Sequence, residues 1–461
     1  MTSIYYGGIM PRICQITESE GTAVSLLAKT TPSEIDPVFN SPEYKRSRGA
    51  YIAQCTFEYF IAILVSDAYL AKLLIDIGIS DTWIGVIESF ASAAFLFQLV
   101  SLLLVRSVTS TKGIAIVLNS LSQLLFVGLY FIPFIPLPLA VKTVLVCAGI
   151  LLAYISQYAV SSMIYKWANS YVHPTKRGVY SATKEMISLI TGMVFTFIAG
   201  QIIDRCEALD NLHAGFLFIA IAGLILSICN FVCMLLIKRD TIPKQTNSIP
   251  FSAVLRKILG NRSFRHVILL TCLWNFARFT TVGFMGTFKT KDLLLTVGTV
   301  QIINIIANLC RFFLSKPIGR FSDRTSFTRG IELALCIAAM GFAVNAFSSP
   351  STWFCIVIYQ IFYNVSIAGT NQNMNNIVYS YVPAEYFVQA SAIKNSIGGI
   401  VSLLSSLLGA RILAAVQSNG NKLFGITLYG QQILSVLSFI VLIITIVYVH
   451  FVLARKEVMQ Q

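Results

Sequence analysis

Twelve apolar runs, most of them near the length a helix needs to cross a bilayer, constrain this chain more than any other feature. They fall at about 51–77, 82–105, 113–132, 142–164, 181–203, 214–237, 266–287, 295–315, 328–347, 351–380, 390–414 and 425–452. A helical crossing takes about 20 mostly apolar residues. The expectation is an all-α membrane protein with 12 transmembrane helices in two six-helix bundles. Composition points the same way. Of 461 residues, 56% are hydrophobic and 12% charged, with a mean hydropathy of +0.74. A soluble domain that apolar could not cover its own surface with polar groups.

The net charge of +14 would suggest a nucleic-acid partner in a soluble protein. Here most Lys and Arg sit between the runs, so charge reports membrane orientation and no nucleic-acid partner is expected. Of the 34 basic residues, about 25 fall in the N-terminal tail, the even-numbered connections and the C-terminus, and about 6 on the other side. Basic loops stay in the cytoplasm, so both termini should be cytoplasmic in a cell membrane. Residues 1–50 are polar, with a Pro and a Ser/Thr cluster, and read as a disordered cytoplasmic tail or as sequence upstream of the true start. Residues 51–237 should form the first bundle, 238–265 a cytoplasmic linker, and 266–461 the second bundle with a short tail. Eight of the ten cysteines lie inside apolar runs and no Cys-x-x-Cys pair occurs. They read as small core residues, and the four histidines are scattered, so no metal site is expected.

A shift of 210 residues lays "ISQYAVSSMIYKWANSYVHPTKRGVYSATKEMI" on "VSIAGTNQNMNNIVYSYVPAEYFVQASAIKNSI". The Ser-Tyr-Val of 170–172 then meets that of 380–382, and Lys184 meets Lys394. The halves look like parallel repeats, a transporter signature. Polar stripes at helical spacing mark faces turned from lipid. The fourth run carries Tyr154, Gln157 and Tyr158; the seventh Trp274, Asn275 and Arg278; the eighth Gln301 and Asn304. The tenth carries Asn364, Asn371, Gln372 and Asn375, and the first Gln54 and Glu58. Interhelical amide bonds explain any one stripe, but five together suggest a common polar cavity.

At this point the chain resembles the major facilitator superfamily from about residue 50 to its C-terminus. The most specific local match is "GRFSDRTSFTR", where Gly319, Asp323 and Arg324 fit the family's Gly-x-x-x-Asp-Arg loop between the eighth and ninth spans. The equivalent first-half loop keeps Arg106 and Lys112 but has Val105 where the family has aspartate. The resemblance implies pseudo-symmetric bundles and gating by such loops, with Lys184 and Lys394 as symmetric gate candidates. Two departures disfavour particular subfamilies: the fourth span lacks the arginine of many proton-linked members, and the fifth lacks the Gly-Pro of drug–proton antiporters.

Glu58 is the membrane carboxylate singled out as proton carrier, substrate ligand or ion-pair partner. Asp67 lies on the opposite helix face, so it is expected to be wet or paired with Lys72. Arg278, near the middle of the seventh run, should point into the cavity and bind an anionic group or pair with Glu58. Arg311 and Glu332 should snorkel or pair with the loop beside them. No catalytic constellation, cofactor motif or Walker loop is visible, so no enzyme is expected. The function expected is secondary active transport of a small polar solute by alternating access, with a proton or cation as coupling ion, in a monomer within the bilayer. The alternatives are an efflux transporter for amphipathic drugs and, in another class, a non-transporting membrane sensor or scaffold.

Overall fold

The computed structural model describes residues 39–98, 111–172, 177–238, 251–382, 387–423 and 426–454. The tail before residue 39, Arg106 and the linker segment 239–250 lie outside them. The first span is split into α1 (Pro42–Leu64) and α2 (Asp67–Ile77). The second is α3 (Asp81–Ala93), extended by a tighter turn Ala94–Phe97. Spans three to six are α4 (Thr111–Gly128), α5 (Leu139–Asn169), α6 (Arg177–Ala208) and α7 (Leu212–Leu236). A short helix, α8 (Phe251–Gly260), precedes α9 (Arg262–Phe279). The last five spans are α10 (Val297–Arg324), α11 (Phe327–Asn345), α12 (Phe354–Tyr381), α13 (Phe387–Ser418) and α14 (Gly430–Tyr448). Among the described residues, nine segments are long and apolar enough to cross a membrane by length and composition. A two-residue antiparallel pair, Lys422–Leu423 with Ile426–Thr427, precedes α14.

Helix starts follow local chemistry. Ser41 accepts from the Tyr44 amide and Pro42 opens α1, where its missing N–H costs nothing. Asn261 caps α9 by accepting from the amides of Ser263 and Phe264. Ser326 caps α11 at the Arg329 amide. Because α10 runs to Arg324, the Gly319-to-Arg324 motif forms the last turns of a helix, and the connection to α11 is only Thr325 and Ser326. The family motif predicts a loop there, whereas the chain stays helical; the side chain of Asp323 lies outside the described ones.

Spans one and seven are both broken near the middle, at positions close to the 210-residue offset of the repeat. In span one the carbonyls freed by the break find partners: the Tyr130 hydroxyl donates to Leu64 O at 2.5 Å and the Ser66 hydroxyl to Ile63 O at 2.9 Å. Asp67 then adopts φ +48°, a left-handed conformation uncommon outside glycine. In span seven, α9 gives way at Thr280 to short turns over Val282–Phe284 and Met285–Thr287, then a wide turn Phe288–Asp292.

Each half has its own apolar core. Ile61, Tyr69, Leu73, Phe126 and Phe216 anchor the first, and Phe264, Trp274, Phe288, Phe342 and Tyr359 the second. Spans six and twelve, which carry few polar groups, turn Phe218, Ile225 and Ile228, and Ile440, Ile444 and Val447, outward. In a bilayer these side chains meet lipid.

Candidate functional site

A cavity of about 310 Å³ lies between the halves. Span one contributes Tyr59, Ile63, Ser66 and Asp67, span two Glu88, and span five Gly192, Met193 and Thr196. From the second half come Arg278, Val282, Met285 and Lys289 of span seven, Gln301, Asn304 and Asn308 of span eight, and Tyr359, Gln360, Tyr363 and Asn364 of span ten. The breaks in spans one and seven both open onto it.

Four charged side chains share this space, and they are unequally matched. Lys289, 1% exposed, pairs with Asp67 across the halves, its Nζ 2.7 Å from Oδ1 and 2.8 Å from Oδ2. The Asn304 amide donates to the same carboxylate at 2.9 Å, and its oxygen accepts from Gln360 at 2.9 Å. Gln301 continues the network, accepting from Asn304 at 3.2 Å and from the Thr196 hydroxyl at 2.9 Å. Arg278 donates through Nε to the Tyr363 hydroxyl at 2.5 Å, and its guanidinium lies 4.7 Å from the centre of the Phe279 ring. Among the described residues no carboxylate pairs with it. Glu88 has a buried oxygen, Oε1, with no hydrogen-bond partner among the described residues.

Glu58 does not line this cavity. It faces a second one of about 370 Å³ inside the first half, with Gln54, Asn119, Gln157 and Ser161. Its carboxylate accepts from Gln54 and Gln157 at 2.5 Å each and from Asn119 at 3.4 Å. The expected Glu58–Arg278 pair is therefore absent. The expected Asp67–Lys72 pair is absent too: Lys72 pairs with Glu207, and Asp67 turns inward. Glu58 and Asp67 do face different cavities, as opposite faces of one span would, but it is Asp67 that faces the second half. Glu332 pairs with Arg329 at 2.8 Å and with His450 at 2.8 Å, as neighbours at its end of the span.

Of the other stripe residues, Arg278, Gln301, Asn304 and Asn364 line the central cavity. Tyr154 packs on Phe126 and Tyr158 on Phe95, within the first half. Trp274 is buried in the second core, and Asn275 lies against Gly398 of span eleven. Asn371 and Asn375 are exposed, and the Gln372 side chain lies outside the described ones. Lys184 sits over the Tyr51 ring at 5.4 Å, while buried Lys394 donates to Met374 O and Asn375 Oδ1, both at 3.1 Å. The two lysines thus occupy equivalent positions in sequence but different surroundings. Gly319 is buried and Arg324 exposed. The sequence reading passed over Glu88, Lys289 and Tyr363. Glu88 carried the same signal as Glu58, a carboxylate inside an apolar run. Lys289 fell just past the expected end of its span.

The halves meet most closely on the side away from the linker. Lys291 and Gln417 reach Asp81 at 2.8 and 3.0 Å, the Gly298 amide reaches Asp204 at 2.8 Å, and the Ser406 hydroxyl reaches Gly85 O at 2.9 Å. Glycines bring backbone to backbone there. A Cβ on Gly283 would stand 2.6 Å from Gly85 O, and one on Gly286 2.9 Å from Asp67 O. Gly399 abuts Ser92 O, and Gly200 abuts Gly298 Cα. The cavity is closed on one side by this seam.

Residues 49–406 match the family model of the Major Facilitator Superfamily, and the chain belongs to that family. No curated protein matches it at a significant level. Among solved structures it is similar to a mutant of the nucleoside transporter NupG, with a TM-score of 0.68 at 12% identity, over 88% of this chain and 99% of that one. It is also similar to a POT family transporter in complex with 5-aminolevulinic acid, with a TM-score of 0.62 at 12% identity, over 87% and 96%. For tetrameric PepTSo2 the TM-score is 0.64 at 13% identity, over 90% and 99%. At such identities the likeness speaks for the fold. The chain is a multi-pass membrane protein of a transporter family.

Proposed function

We propose that this member of the major facilitator superfamily is a secondary active transporter for a small polar solute that carries an anionic group, and that Arg278 is its anchor. The observation that carries this is the guanidinium of Arg278 inside the cavity, held by the hydroxyl and ring of Tyr363 and the ring of Phe279, with no carboxylate paired to it among the described residues. A cation at that depth is costly unless something anionic meets it. A guanidinium presents a planar fork suited to a carboxylate or phosphate. The amides of Asn308 and Asn364, with the oxygen of Gln360, offer donors and acceptors to the rest of such a solute. The nucleoside and 5-aminolevulinic acid named for two structural neighbours are also small and polar, which is consistent with a solute of this size.

Basic residues concentrate on the linker side, so that side is read as cytoplasmic and the cavity as closed toward the exterior of a cell membrane. The bundles of residues 51–237 and 266–461 then rock about the cavity as rigid units, in a monomer. The deciding experiment is a thermal-shift screen of the purified protein with small carboxylates, amino acids, nucleosides and phosphorylated metabolites. Anionic compounds should raise the melting temperature of the wild type and not of Arg278→Lys, because an ammonium lacks the planar fork. Equal stabilisation of both proteins, or stabilisation only by uncharged compounds, would overturn the anchor.

A further inference from the structure

The charges in the central cavity are matched in one pair and unmatched in another. Asp67 is held by Lys289 and Asn304 and has no spare role. Glu88 lines the same cavity as Asp67 and Lys289, yet among the described residues no donor binds its buried Oε1. Tyr363, which receives the Nε bond of Arg278, lines the same cavity as Glu88. Tyr154 of span four also faces Glu88. The groups around it are then Asp67 of span one, Tyr154 of span four, Arg278 and Lys289 of span seven, and Tyr363 of span ten. Span eleven, packed along the same helix, contributes serine and glycine at that contact.

A buried ionised carboxylate without a donor is unfavourable by several kcal/mol. A protonated carboxyl carries one hydrogen of its own and loses its charge. The cavity has two neutral states on this count. Without solute, an ionised Glu88 balances Arg278, while Asp67 and Lys289 balance each other. With an anion on Arg278, neutrality returns only if Glu88 takes up one proton. From the charge balance we infer that Glu88 is the proton-binding site of the transporter, so that one proton enters and leaves with each singly charged anion. The anion adds one negative charge to the cavity that Glu88 and Arg278 share; a water-borne proton binds the Glu88 carboxylate oxygen; both leave on the other side, and the empty cavity resets without net charge. Glu58 does not serve, because three amide donors already hold its charge.

The coupling rests on the anionic-solute reading, but the protonation of Glu88 is testable without any solute. Infrared difference spectra of the full-length protein in lipid nanodiscs, between acidic and alkaline buffer, report protonated carboxyl groups by their C=O stretch. A signal should appear on acidification, be lost in Glu88→Gln and persist in Glu58→Gln. Glu88→Asp should shift the band in frequency without abolishing it, which guards against a Glu88→Gln protein that fails to fold. In Arg278→Gln the band should appear already in less acidic buffer, because the cation that favours the carboxylate is gone. A merely structural Glu88 would not give that response. A band unchanged in Glu88→Gln and Glu88→Asp, or no band in the wild type, would overturn the proposal. Failure of the solute screen with an intact Glu88 band would instead remove the anchor and leave the proton site standing.

Discussion

Glu58 and Asp67 belong to one broken span and serve opposite kinds of environment. Glu58 is enclosed within the first half, and amides from three helices fill its lone pairs. Asp67 reaches across to the second half, where Lys289 depends on it, and its neighbour Glu88 goes without a donor. The contrast separates fixed architecture from machinery. A polar group whose partners all move with it is settled in every state of the protein. A group whose partner lies on the other half must be re-matched each time the halves part. Unmatched groups are therefore expected where motion happens, and the cavity between the halves is where they occur.

The largest test of this contrast is Asp67→Ala. It leaves Lys289 buried without its counter-charge, which costs about 3–5 kcal/mol in comparable ion pairs. Chemical denaturation in detergent should show that loss, and Asp67→Ala with Lys289→Ala should recover most of it. A double variant no better than the single would show that the pair does not act as a unit. Next in size, Glu58→Ala strands amides inside the first half and should cost about 2–3 kcal/mol. Glu88→Gln should lower stability by less than about 0.5 kcal/mol, since no bond is lost. Equal losses at the two sites would erase the distinction between them.

Gly283→Ala introduces a Cβ that must push Gly85 away, at about 1–3 kcal/mol for overpacking. The closed side should loosen, and a cysteine placed at Met285 should react faster with a membrane-impermeant maleimide added from outside. An unchanged rate would argue that the seam is not the gate. The smallest effect belongs to the surface pair of Glu43 and Lys238. The Lys238 ammonium hydrogen-bonds Glu43 and holds its carboxyl below the usual carboxylate range. A depressed carboxyl pKa stabilises only above the unfolded value, about 4.3, and the benefit is lost as pH falls through the folded value. The side chains are 67% and 48% exposed, so Glu43→Gln should leave the melting temperature at neutral pH unchanged within error. A clear drop would mean that the interface tightens this pair.

The fold was legible because hydropathy and loop charge act on long segments. Within the described residues the apolar runs coincide with successive helices and the broken first and seventh spans, and the family model matches residues 49–406, a range that includes Gly319 to Arg324. The site was legible only in part. Arg278, Gln301, Asn304 and Asn364 reach the cavity because spans seven, eight and ten stay helical up to those residues. A helical wheel separates Asp67 from Glu58 but does not say which of the two faces the other half; that depends on tertiary packing, as does the break between them, where Tyr130 donates to Leu64 O. Lys289 was missed because burial of a lysine at a span end depends on a carboxylate that is remote in sequence.

The glycine seam has a further consequence, an electrical one. A membrane protein that handles ions sits across a voltage, and any continuous file of hydrogen-bonded water through it would short-circuit that voltage. Water needs both room and polar partners to persist in a protein interior. Gly85 against Gly283, Gly286 against Asp67 and Gly399 against Ser92 press main chain onto main chain and leave no room for it. On the transport reading proposed above, the seam would insulate as well as gate, and a larger residue there should let current pass without cargo.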